Sequence, residues 1–292
     1  MESLLIVGCG DIARRALPEL RRRYRITALV RARAPDLAAC GVELVEGDLD
    51  DAASLAPLAG RAHRIAHLAP PAASGELDAR TRNLLAALAP RGGGAMLPRR
   101  FVYLSTSGVY GDCAGEWIDE NRAPNPGTTR AKRRLDAESA ISEWGAGHGV
   151  ELVILRAPGI YASDRLPLER LARAMPALRA EDDVYSNHIH ADDLAAILVA
   201  ALESAQARGI YNASDDAPMK IGDFLDLVAD RAGYSRPPRL PREEVARVLA
   251  PEQFSFMSES RRISNRRLKA DLGVRLRYPS AFTGVPKLRE TA

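Results

Sequence analysis

Residues Leu4 to Ala13 read L-L-I-V-G-C-G-D-I-A. An apolar run stops at Gly8, Gly10 follows two residues later, and Ala13 comes three after that. Strand, glycine turn and helix in this order form a grip for a pyrophosphate. Gly8 would make the tight turn. Gly10 would let the backbone approach the phosphates, where a Cβ would collide with them. Ala13 is small enough for the helix to pack closely on the strand. Asp11 and Ile12 open that helix, whose free N–H groups receive the anion.

The second strand decides which dinucleotide fits. An NAD site carries Asp or Glu about 20 residues past the turn, for the ribose hydroxyls. Here the strand ends Leu29-Val30-Arg31-Ala32-Arg33, without a carboxylate. Arg31 and Arg33 offer guanidinium forks suited to a 2′-phosphate, so NADP(H) is expected over NAD(H), with NAD(H) still open. Both arginines could also be merely exposed at a strand end. Gly47-Asp48-Leu49 closes the third strand. Asp48 and Leu49 would lie by the adenine, whose amine a carboxylate can accept; Asp48 could equally cap the next helix.

Other reactive residues have plainer explanations. His188 and His190 alternate ahead of Asp192 and Asp193, yet no further His or Cys ligand is near, so no metal is expected. His67 ends a strand and reads as a packed histidine, with general base the lesser reading. Cys9, Cys40 and Cys113 lack metal spacing and fit reduced, structural thiols, although Cys9 lies inside the glycine turn. No G-x-S-x-G frames Ser105 or Ser107, which argues against a hydrolase.

These residues need elements to position them. Strand and helix patterns alternate: helix Ile12–Arg23 with Pro18 a kink, strands Arg25–Arg31 and Gly41–Glu46, a short helix Asp51–Gly60, strand Arg64–Leu68, helix Gly75–Ala89, a Gly92-Gly93-Gly94 loop and strand Phe101–Leu104. Helix Thr128–Trp144 and strand Val150–Leu155 follow. Such alternation predicts a Rossmann-type doubly wound α/β fold, a parallel sheet of about seven strands with helices on both faces. Beyond Tyr161, Leu166–Leu178 reads as helix, Asp192–Leu202 as a helix capped by Asp192, Gly209–Ala213 as strand, Ile221–Ala232 as helix and Ser235–Pro241 as a linker. The expected division is a nucleotide-binding domain from 1–160 and 184–215, with a small substrate lid from 161–183 and 216–292.

The chain has 292 residues, 46% hydrophobic and 27% charged, with a net charge of +3. That balance argues against a nucleic-acid partner. No apolar stretch nears the ~18 residues of a membrane span, and no leader is expected before the first strand. The expectation is a cytoplasmic monomer or homodimer acting on a small molecule.

The sequence resembles the extended short-chain dehydrogenase/reductase superfamily, which includes the NAD(P)-dependent epimerases and dehydratases of nucleotide sugars. Five stretches carry the resemblance: G-C-G-D-I-A at Gly8–Ala13; Ala66-His67-Leu68-Ala69; L-S-T-S-G-V-Y-G at Leu104–Gly111; R-A-P-G-I-Y at Arg156–Tyr161; and N-H-I-H-A-D-D-L at Asn187–Leu194 with Tyr211-Asn212-Ala213-Ser214. Leu272-Gly273 and Tyr278-Pro279-Ser280 also fit. The resemblance implies that Leu68 and Ala69 lie beside the cofactor. It implies catalysis by a Tyr-x-x-x-Lys pair and a Ser or Thr, with the phenol as acid/base. Thr106 matches the Ser/Thr and Lys132 the Lys, but Thr128 stands where the Tyr belongs. An aliphatic hydroxyl is far too weak an acid for that role. The pattern is similar to the atypical branch, which retains nucleotide binding while varying the tyrosine. Lys132 is then catalytic, a ribose contact or a surface residue. An oxidoreductase of the epimerase/dehydratase type is expected, and a non-catalytic NADP(H)-binding regulator is the rival.

Overall fold

In the computed structural model, which describes residues 1–89 and 96–288, seven strands form one parallel sheet. They are β1 (Glu2–Val7), β2 (Tyr24–Val30), β3 (Glu43–Glu46), β4 (Arg64–His67), β5 (Arg100–Thr106), β6 (Glu151–Ala157) and β7 (Gly209–Asn212). Their order across the sheet is β7-β6-β5-β4-β1-β2-β3. The order reverses at β1, which pairs with β2 on one side and β4 on the other. A crevice at the carboxyl ends of β1 and β4 follows from this winding, the usual place for a ligand in such sheets.

The period of two along each strand feeds two cores. Leu4 and Ile6 of β1 join a cluster with helices α1 (Asp11–Leu20) and, later in the chain, Ala191–Glu203. Leu5 and Val7 point the other way, to a cluster with α2 (Ala79–Leu88) and α3 (Thr129–His148). All four β1 residues are fully buried, as a two-faced parallel sheet requires.

Several local expectations change. The helix after Tyr161 covers only Leu168–Ala172, because Ala177–Leu178 becomes a strand paired with Arg239–Leu240. The same pairing turns the supposed Ser235–Pro241 linker into packed structure, with Arg239 held by Asp226 at 2.7 Å. The cap of α4 (Ala191–Glu203) is His190, not Asp192: its ring Nδ1 accepts from the Asp192 N–H at 3.1 Å, and Asp192 pairs with Arg15. The Gly92-Gly93-Gly94 loop lies outside the described residues.

Residues 161–183 and 216–288 form a part of the chain that contributes no strand to the seven-stranded sheet. Two small apolar clusters hold it, one around Tyr161, Val228 and Val285, the other around Leu178, Leu225 and Val245. The carboxylate of Asp193 accepts from the N–H groups of Arg277 and Tyr278 at 2.8 and 2.9 Å and ties the last segment to α4. Among the described residues no helix is long and apolar enough to cross a membrane.

Candidate functional site

A cleft of about 540 Å³ opens at the β1/β4 crevice. Gly8, Gly10, Asp11, Ile12, Ala13, Arg31, Asp48, Leu49, Leu68 and Ala69 all lie on its wall. Arg33 is exposed and does not reach it. Gly8 has φ +95°, and a Cβ there would stand 2.4 Å from the backbone nitrogen of Ala69. The N–H groups of Leu68 and Ala69 both donate to the Val7 carbonyl, at 2.7 and 3.1 Å, which draws β4 against the turn. Gly8 is therefore required by the protein's own backbone. At Gly10 a Cβ would meet no protein atom within 4 Å. Gly10 also precedes α1 without a side-chain cap, so the first N–H groups of the helix lack that partner. An uncapped helix start and open space at Gly10 fit a pyrophosphate, so the residues present suit a dinucleotide.

Four further arginines line the cleft, Arg14, Arg80, Arg134 and Arg165. Three are committed to carboxylates: Arg14 to Asp36, Arg80 to Asp50 and Arg165 to Asp11. Arg134 donates to the Leu104 carbonyl at 2.8 Å and to the Tyr103 hydroxyl at 3.0 Å. Arg31 has no hydrogen bond or ion pair among the described residues. Asp48 accepts from the Asp50 N–H through one carboxylate oxygen.

His67 is fully packed. Its Nε2 lies 2.9 Å from Thr81 Oγ1, whose hydroxyl donates to Asp78, so the ring donates through Nε2 and stays neutral. Burial pushes this imidazole down to about 3 and leaves no base near neutrality. Burial likewise pushes the Cys9 thiol up to about 11.

A second cavity of about 160 Å³ lies at the ends of β5 and β6. Thr106, Thr128, Arg130, Pro158, Tyr185, Phe256 and Glu259 are on its wall. Thr106 Oγ1 accepts from the Gly108 N–H at 3.2 Å, which leaves its own proton free to donate into the cavity.

Helix α3 sets its residues by period. Thr128 is its N-cap, with Oγ1 accepting from the Ala131 N–H at 3.2 Å. Lys132 is exposed, with Ser139 and Glu143 on the same outer face. It lines neither cavity. The inward stripe runs Arg134, Glu138, Ile141 and Gly145, of which the last three are buried, and the exposed Arg130 continues it at the first turn of the helix. The four-residue spacing expected of Thr128 and Lys132 thus recurs two positions later. Arg134 lines the β1/β4 cleft and Arg130 the second cavity. The signal was present in the sequence: a stripe through Glu138 and Ile141 can face the sheet only if Lys132 faces away.

The tyrosines named by the sequence motifs do not replace the missing phenol. Tyr110 is buried with its hydroxyl on Asn212 at 2.8 Å, and Tyr161 is buried against the Ser280 carbonyl at 3.1 Å. His188 is also buried, stacked on Phe224. Among the described residues no group of His, Cys, Asp and Glu could hold a metal ion. A larger cavity of about 890 Å³ lies beyond β7, lined by Trp117, Glu120, Asp215 and Asn265, and shares no residue with either site.

Comparison with known proteins agrees with this architecture. The family described as NAD dependent epimerase/dehydratase matches residues 4–214. Over 188 residues the chain is 29% identical to GDP-6-deoxy-D-mannose reductase of Pseudomonas aeruginosa. That alignment spans 58% of this chain and 60% of the reductase's length. A functionally unknown conserved protein from Silicibacter pomeroyi superposes with TM-score 0.76 at 27% identity, covering 97% of this chain and 96% of that one. UDP-glucose 4-epimerase of Thermus thermophilus, solved with NAD, gives TM-score 0.74 at 21% identity, covering 98% and 97%, and so shares the fold. With the matched region spanning the whole seven-stranded sheet, this chain belongs to the NAD-dependent epimerase/dehydratase family.

Proposed function

We propose that the protein is an NADP(H)-dependent oxidoreductase of the epimerase/dehydratase type, acting on a small molecule seated beside Thr106. The observation that carries the reading is Arg31. It stands on the cleft wall just past β2, where an NAD site would have a carboxylate, and its guanidinium is uncommitted. A 2′-phosphate would supply its missing partner. Gly8, Gly10 and Ala13 shape the pyrophosphate seat, Asp48 and Leu49 border the adenine, and Leu68, Ala69 and Arg134 flank the nicotinamide end.

When bound, the dinucleotide supplies two-electron redox chemistry. The protein's own part is to place the substrate. Thr106 donates a hydrogen bond to a substrate oxygen. Arg130 presents a fixed positive charge beside it. A guanidinium does not release its proton near neutrality, so Arg130 orients and stabilises charge and cannot be the acid. Lys132, on the outer face, is not assigned a role.

A second reading is favoured by that same helix. With Thr128 used as a cap and Arg130 and Arg134 lining the two cavities, the protein could bind NADP(H) as a regulator without turnover. Fluorescence titration with NADPH and NADH, followed by product analysis against GDP- and UDP-linked sugars and simple carbonyl compounds, separates the readings. Preference for NADPH with turnover supports the enzyme. The same preference with no turnover supports the regulator. If neither nucleotide binds, both fail.

A further inference from the structure

We infer that the second cavity seats an anionic oxygen group of the substrate, a carboxylate or a phosphate, on Arg130 beside Thr106. The inference rests on the reading of that cavity as the substrate's seat, and adds the chemical class. Arg130 makes no hydrogen bond and no ion pair among the described residues. Arg130 is exposed, and its guanidinium lies 4.3 Å from the centre of the exposed Phe256 ring, a contact that leaves its charge unneutralised. The other charges on the wall cancel: Glu259 pairs with Arg261 at 2.7 Å, and Arg261 also donates to the Gly111 carbonyl. One positive charge is left over, beside a hydroxyl whose proton is free to donate.

Such a pair matches an oxyanion carrying permanent charge, with the guanidinium fork on one edge and the Thr106 O–H on another. A neutral carbonyl would leave the charge uncompensated. Size narrows the class further. At about 160 Å³ the cavity is well below the roughly 300–1,000 Å³ of pockets that enclose a whole drug-sized ligand. It has room for a compact acid or one charged group, not for a sugar and its nucleotide.

The test uses the intact chain and calorimetric titration with three probes at matched ionic strength: oxalate, inorganic phosphate and the neutral isostere oxamide. At least one anion is expected to bind the wild-type protein. Arg130→Gln should weaken that binding about tenfold or more, the range for a charged hydrogen bond, and Arg130→Lys should restore part of it. Tighter binding of oxalate assigns a carboxylate, and of phosphate a phosphoryl group. The inference is overturned if neither anion binds, if oxamide binds as well as oxalate, or if Arg130→Gln leaves anion binding unchanged. NADPH fluorescence on the same samples keeps the two readings apart. Arg130→Gln should bind NADPH like wild type. Loss of NADPH binding in the wild type defeats the functional reading while leaving the anion result interpretable.

Discussion

The pair Glu138–Arg156 holds the site-bearing helix to the sheet, and its removal has a calculable effect. Arg156 Nη2 donates to Glu138 Oε2 at 2.6 Å and Nε to Oε1 at 3.1 Å, with the two side chains 2% and 4% exposed. Ser105 donates to the same carboxylate at 2.5 Å, and the Arg156 guanidinium also lies 4.6 Å from the Tyr110 ring centre. The contacts therefore join α3 to β5 and β6. Glu138→Leu would strand the arginine charge in the core, a change that costs about 3–5 kcal/mol. At roughly 2–4 °C per kcal/mol for a domain of this size class, melting should fall by about 6–20 °C. The double variant Glu138→Leu with Arg156→Met removes both charges and should recover to within about 1 kcal/mol of wild type, since apolar replacement of a whole buried pair is often neutral. Urea unfolding followed by circular dichroism measures all three proteins. A loss below about 1 kcal/mol in the single variant, or a double variant as unstable as the single, would refute the claim that an unpaired buried charge dominates.

Other expectations follow from the cleft and its neighbours. Gly8→Ala places a Cβ 2.4 Å from the Ala69 nitrogen at φ +95°, so the turn must move; stability should fall by about 1–3 kcal/mol, with NADPH affinity falling too, read by denaturation and titration. Arg31→Ala should reduce NADPH affinity about tenfold or more with NADH little changed, whereas Arg33→Ala should alter neither; equal effects from the two would contradict the placement of Arg31. Asp215 is buried with one carboxylate oxygen unpartnered, and desolvation first of all pushes it up to about 8. Its folded pKa is raised, so its contribution is full below the unfolded value near 4 and is lost as pH climbs toward 8, on the order of 1 kcal/mol per pH unit. Urea unfolding at about pH 5 and pH 8 should therefore show Asp215→Asn losing less stability across that interval than wild type; parallel losses would show that Asp215 does not titrate there.

The sheet and its first turn were legible because their signals are local. A strand, a turn needing positive φ and a helix start are written in consecutive residues, and Gly8 through Ala13 specify them. The strand order then follows from alternation and handed crossovers. The small strand pairs were not legible: Ala177–Leu178 meets Arg239–Leu240 across some sixty residues, and two-residue strands leave no period to read. The inward face of helix α3 was legible only in its buried stripe through Glu138 and Ile141, not in the motif's spacing. A spacing of four fits any register on a helix, so Thr128 and Lys132 satisfied the motif's interval without its direction. Direction is set by packing, and Glu138, Ile141 and Gly145 put Arg134 on the inward stripe with the exposed Arg130 one turn before it. The Cβ of a residue at position 145 would stand 2.6 Å from Leu152, which pins that face against β6.

The pair Arg130 and Arg134 also has an electrostatic logic. Two guanidinium groups one helical turn apart repel. The protein answers Arg134 with neutral oxygens, the Leu104 carbonyl and the Tyr103 hydroxyl, whose phenol burial pushes up to about 12 so that it stays uncharged. Those contacts fix the side chain but leave its charge in place. Among the described residues Arg130 has the Phe256 ring beside it and no hydrogen bond or ion pair. A Tyr–Lys pair works by lowering the phenol's pKa with a cation, which needs one neutral partner. Two permanent cations cannot share a proton in that way; what they can do is divide the labour of holding anions, one at the cleft and one beside Thr106. The substitution thus changes the kind of ligand the helix is built to meet, from an oxygen awaiting a proton to an oxygen already carrying charge.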